Sequence, residues 1–164
     1  MLPTDNPFPE EDQARHAIWA MLVQRDIDAF LSADWSLVAG DFVEDRFFGL
    51  DADGSGNPDS WRLRFPTLAS YREEWLRQAR ASQDVAYAEP VRAALFRATN
   101  LRDIDVDGDK AVAHKKFDGI LRRADGGQDI LSWQTLYFCA RVDGAWKLTG
   151  FVGYMPNPLS QPRG

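Results

Sequence analysis

At 164 residues, with 45% hydrophobic and 27% charged residues, the chain is long enough for one domain with a core and too short for two, and its composition excludes wholesale disorder. A formal net charge of −6, with basic residues scattered apart from the doublets Lys115-Lys116 and Arg122-Arg123, argues against a nucleic-acid partner. The single cysteine, Cys139, excludes an intramolecular disulfide and a Cys-rich zinc cluster and fits a reducing cytoplasm, and no apolar run approaches the length of a membrane span.

The first residues, MLPTDNPFPEEDQ, are acidic and proline-rich, unlike a signal peptide, and read as a flexible lead-in over 1–13. A single domain is expected over 14–155, followed by a tail over 156–164. Helical periodicity runs from about Glu10 to Ala33, where Ile18, Trp19, Leu22, Val23, Ile27 and Phe30 form one apolar stripe. Asp26 falls inside that stripe. A carboxylate there is partly desolvated, which suits a general acid or base; the bland alternative is an acid at the stripe's edge or one paired with a structural Arg.

A second short helix is expected over about Trp35 to Phe42, then a short strand over Arg46–Leu50. The stretch DADGSGNPDS that follows has Asp51, Asp53, Ser55, Gly56 and Asp59 at the spacing of a calcium loop. Arg62 stands where the bidentate Glu belongs, so the stretch reads as a polar turn. Pro66-Thr67 opens a third helix through TLASYREEWLRQARA, with Leu68, Tyr71 and Trp75 on its apolar side.

The second half reads as strands: Arg92–Val106, Lys110–Arg123, Ile130–Val142 and Trp146–Tyr154, separated by the hairpin signals DGD, ADGGQ and DG. Helices first and an antiparallel meander after make an α+β fold, a cone of about three helices packed on a curved antiparallel sheet. An even-membered turn at ADGGQ groups His114, Lys116 and Asp118 with Trp133, Thr135 and Tyr137 on one face. The opposite face then carries Lys115, Phe117, Gln134, Leu136, Phe138, Thr149 and Phe151. Being the more aliphatic, this second face is expected to meet the helices.

The helical first half, Asp34 before the second helix, VEDRFF leading into the first strand, and the closing LSWQTLYFCARVDGAWKLTGFVGY resemble the nuclear transport factor 2-like superfamily over residues 14–155. That group includes ketosteroid isomerases, polyketide cyclases and limonene-epoxide hydrolases. The resemblance implies a pocket between sheet and helices, dimerisation through the sheet's outer face, and pocket positions at Phe138, Thr149 and Phe151. It matches Asp26 roughly to a catalytic tyrosine of the isomerases. The isomerases' two acids fall near Leu50 and Phe138, both apolar here, and Phe151 stands where an epoxide hydrolase has an acid, so neither of those mechanisms carries over.

The expected site therefore comprises Asp26 as the catalytic group, with Tyr71, Trp75, Lys115, Gln134, Phe138 and Thr149 binding a small apolar ligand. Two functions stay open. One is a cofactor-independent cyclase, dehydratase or isomerase. The other is a non-catalytic ligand-binding or assembly module. No metal ligand set is expected, since His16, His114 and Cys139 have no ligand spacing. A relay of His114, Tyr137 and Asp103 can be drawn on the outward face, but a His among Tyr and Trp is more often a packed interface residue, and Cys139, with no base adjacent, reads as packing. The outward face, with Trp133, Tyr137, Trp146, Val152 and Tyr154, is expected to form a homodimer.

Overall fold

The computed structural model describes residues 1–158; residues 159–164 of the expected tail lie outside the described residues. The first helix is one continuous body of three segments: α1 (Gln13–Trp19), a π-helical stretch (Ala20–Arg25) and α2 (Asp26–Ser32). Asp12 caps its start by accepting the Arg15 N–H, and Ala33, in the left-handed region at φ 51°, ends it. The buried stripe holds Ile18, Trp19, Met21, Leu22, Val23 and Ile27. The lead-in is tied to this body: Phe8 packs on the core, and its carbonyl lies 2.8 Å from His16 Nδ1.

The expected second helix is instead two 3-10 turns, Trp35–Leu37 and Ala39–Asp41. Asp34 accepts from Ser36 N and Oγ, a local bond that favours a turn over helix propagation. Strands β1 (Phe48–Asp51) and β2 (Arg62–Phe65) follow, then α3 (Leu68–Gln83), opened by a Thr67–Ser70 capping box. The segment expected to begin a strand at Arg92 is α4 (Val91–Ala98), with the strand β3 (Thr99–Asp107) only after it. Pro90 at the cap and two consecutive alanines favour the helix.

The remaining strands are β4 (Lys110–Arg122), β5 (Gln128–Val142) and β6 (Ala145–Met155). The six strands form one curved sheet in the order β2-β1-β6-β5-β4-β3, antiparallel except where β1 runs parallel to β6. The three helical bodies pack on it. The architecture is thus the expected α+β one, with α4 in place of the short second helix.

Register decides which residues face the helices. The turn between β5 and β6 is the two-residue Asp143-Gly144, pairing Val142 with Ala145 as the sequence predicts. The β4–β5 connection, however, pairs Arg122 with Gln128 and so leaves five residues, Arg123 to Gly127, between them, an odd number. One residue of register moves every side chain of a strand to the other face. Lys115 therefore shares the inner face with Trp133, Thr135 and Tyr137, while Gln134, Leu136 and Phe138 lie with His114 on the outer face. Of the residues expected outside, Trp133, Tyr137 and Tyr154 are inside, and Cys139 belongs to the core.

Helix α4 packs tightly on β4 at Gly119, where an added Cβ would stand 2.6 Å from Ala98 Cβ and 3.1 Å from Ala98 Cα. Backbone cannot yield as a side-chain tip can. Gly119→Val should therefore destabilise the fold by about 1–3 kcal/mol through overpacking, read as a lowered urea midpoint with an unchanged m-value.

Candidate functional site

Between the helices and the inner sheet face lies a cavity of about 370 Å³. Its wall is mostly aromatic and aliphatic, built from Phe30 of α2, Trp75 of α3, Leu95 of α4, and Phe117, Trp133 and Phe151 of the sheet. Four of the seven residues expected at a site line it: Asp26, Tyr71, Trp75 and Lys115. Gln134 and Phe138 do not, because the odd loop turns them outward. Outside, Gln134 hydrogen-bonds the His114 ring and donates to the Pro156 carbonyl, and Phe138 stacks on Phe48 at 6.4 Å. Thr149 is the extra residue of a bulge between Leu148 and Gly150, and its hydroxyl donates to the Phe138 carbonyl at 3.3 Å.

One end of the cavity is polar. Lys115 is fully buried, and its ammonium donates to Asp26 Oδ2 at 3.1 Å and to the Leu22 carbonyl. The ring faces of Phe117 and Tyr137 lie 5.0 and 6.0 Å from Nζ, adding cation–π attraction. Leu22 lies within the π-helical stretch and Asp26 directly follows it, so the widened turn presents a main-chain carbonyl to the sheet next to the carboxylate. The Asp26 side chain keeps 35% of its surface exposed against 1% for Lys115. Lysine is thus the sealed partner, and the carboxylate is the one a ligand can reach.

Two tyrosines complete this end. Burial raises the Tyr71 hydroxyl well above its usual pKa, helped by Tyr137 and by the Asp26 charge. Burial, then Asp26, does the same to Tyr137. Both stay protonated hydroxyls beside a carboxylate. Such a group of donors next to an acceptor can hold a proton-transfer partner at each of two atoms. The sequence reading set Tyr137 on the outward face with His114, because an even-membered loop puts it there; the odd loop turns it inward.

At the mouth, Tyr154 lines the cavity in the left-handed region at φ 57°, and Gln78 donates to its hydroxyl at 3.3 Å. Beside it, hydrogen bonding to Arg77 holds the Glu74 carboxyl down at about 2. The spacing Tyr71, Trp75, Gln78, Ser82 is the legible signal for this wall, since steps of four and three keep residues on one helical face.

The other candidates take structural roles. Asp51, first residue of the calcium-like stretch, is buried; it accepts the Asp53 N–H at 2.8 Å and pairs with Arg64 at 3.1 Å. His114 pairs in register with Asp103 on the outer face, away from Tyr137. Burial pushes the Cys139 thiol up to about 12, which makes it inert.

No family model and no curated protein sequence matches this chain. Solved structures do. A protein of unknown function from Pseudomonas putida KT2440, described as nuclear transport factor 2-like, is 15% identical over 90% of this chain and 87% of its own, with a TM-score of 0.55. A protein provisionally named a scytalone dehydratase, from Novosphingobium aromaticivorans DSM 12444, is 16% identical over 86% of this chain and 83% of its own, with a TM-score of 0.52. A protein of unknown function from Mycobacterium tuberculosis is 20% identical over 89% of this chain and 75% of its own, also at 0.52. Together with the sheet order and the helices packed on one face, these likenesses establish that the chain has the nuclear transport factor 2-like fold.

Proposed function

We propose that the cavity binds a small, largely apolar carbonyl compound and that the chain catalyses cofactor-independent proton transfer on it, as a dehydratase, isomerase or cyclase does. The observation that carries this reading is the meeting of the Asp26 carboxylate with the protonated hydroxyls of Tyr71 and Tyr137 at one end of an apolar cavity. Asp26 removes a proton from the carbon next to the carbonyl. The electron pair moves onto the carbonyl oxygen, and the tyrosine hydroxyls donate to the oxyanion. Return of the proton to another carbon completes an isomerisation; loss of a β-hydroxyl as water completes a dehydration. Lys115 is the positioning residue, holding Oδ2 so that Oδ1 is left to the ligand. The provisional name of the Novosphingobium protein supports this class by analogy only.

A second reading is favoured by the outer sheet face, where Phe48, Val112, Ile120 and Ile130 are exposed apolar residues. This face suits assembly, and we propose that two copies pair through it. The same cavity then serves as a binding module within the assembly. We propose a cytoplasmic location, which the single, buried thiol supports; among the described residues no helix is long and apolar enough to cross a membrane.

Three outcomes test these proposals. In deuterated water, the wild-type protein should speed deuterium uptake into the methyl group of acetophenone, and Asp26→Asn should lower that rate by about 10²–10⁴-fold; equal rates would leave only the binding reading. The stability changes should be asymmetric. Asp26→Asn leaves a sealed ammonium without its counter-charge and should cost about 3 kcal/mol in urea unfolding, whereas Lys115→Met, which leaves a carboxylate already a third exposed, should be near neutral. Light scattering should give twice the chain mass of 18.5 kDa, and Val112→Glu should return it to one copy.

A further inference from the structure

The cavity extends well beyond one carbonyl group and its contacts. Along α3, the lining residues run from Tyr71 to Ser82, which at 1.5 Å per residue is a length of about 16 Å. Along β4 they run from Lys115 to Leu121, six residues at 3.3 Å each, or about 20 Å. The helix and the strand thus measure the same elongated space. Its middle is apolar, walled by Trp75, Leu95, Phe117, Leu131 and Trp133.

The far end is polar again. The Tyr87 hydroxyl donates to Asp129 Oδ2 at 2.9 Å, and Arg123 Nη1 donates to Oδ1 at 3.3 Å. Tyr87 and Asp129 both line the cavity, and the Asp129 side chain keeps 33% of its surface exposed. Tyr87 has spent its proton on Asp129, so the pair presents lone pairs to a ligand. The guanidinium of Arg123 already balances the carboxylate and repels a second cation. The group that fits is an uncharged hydrogen-bond donor.

We infer that the ligand is an elongated apolar molecule with a carbonyl at one end and a hydroxyl at the other, the hydroxyl held by Asp129 and Tyr87. This rests on the reading of the Asp26 end as the carbonyl site. With a hydrogen bond of about 3 Å at each end, the two oxygens stand about 10–14 Å apart.

Three ketones test it, with binding read from the fluorescence of Trp75 and Trp133 on the cavity wall. They are a straight-chain methyl ketone of about twelve carbons with a terminal hydroxyl, the same ketone without the hydroxyl, and a short one of about five carbons. The hydroxyketone should bind about tenfold more tightly than its deoxy twin. Tyr87→Phe and Asp129→Asn should each shrink that ratio toward one, with far-UV circular dichroism reporting that the variants fold. A wild-type ratio of one, or a ratio that survives both substitutions, overturns the inference while binding of the short ketone leaves the carbonyl site standing. Failure of all three ketones to bind overturns both.

Discussion

A lysine ammonium with no water around it must find its counter-charge inside the protein, and Lys115 finds it on a helix 89 residues earlier in the chain. Sealing such a charge costs several kcal/mol unless hydrogen bonds and an opposite charge meet it. Asp26, the Leu22 carbonyl and two ring faces do so together. These partners span both layers of the fold, so the contact fixes how the first helix lies across β4. The π-helical stretch is part of the same solution, because it contains Leu22 and ends directly before Asp26. The contact that closes the core also sets the Asp26 carboxylate at the cavity's edge.

The same enclosure sets the state of the neighbouring hydroxyls. Burial keeps Tyr71 and Tyr137 protonated, and the Asp26 anion adds to the effect by making a second anion unfavourable. The cavity end therefore holds a carboxylate together with two protonated hydroxyls. In an apolar enclosure such dipoles act more strongly than in water and need little reorganisation. The apolar wall and the polar end are thus one device.

How much of this could be read in advance depends on where a single residue of register enters. The first helix shows its stripe, and Asp26 stands out as the acid within it. The start of α3 at Pro66-Thr67 and the Asp143-Gly144 turn are equally plain in the sequence. The ADGGQ connection is not, because glycines at 126 and 127 permit both even and odd loops, and only packing selects the odd one. That one residue misplaces Gln134 and Phe138, which lie outside, and hides Tyr137, which lies within. Phe151 is placed correctly through two shifts that cancel: the unbulged register pairs it with Leu136, and the bulge at Thr149 moves it to Tyr137. The helical start at Val91 is obscured because Val, Leu and Phe also suit a strand.

The two central strands of the cavity differ in regularity, and the difference has a purpose in the geometry. β4 pairs with β5 from Lys110 to Arg122 without a register shift, so the strand that carries Lys115 is held by an unbroken ladder on that side, the one-residue shift opposite Lys115 and His114 being taken up by the extra Arg102 of β3. β6 is irregular. Two one-residue shifts interrupt its pairing with β5, one at Thr149 and one before Met155, where Tyr154 takes a left-handed conformation. A bulge gives up ladder bonds, and a left-handed tyrosine costs about 1–3 kcal/mol. Each shift coincides with an aromatic ring delivered to the cavity, Phe151 after the first and Tyr154 at the second. A charge that must meet its partner needs a strand that cannot slip, whereas a wall that must follow a curved space needs side chains re-aimed one at a time. The regular strand carries the ion pair, and the irregular strand shapes the enclosure around it.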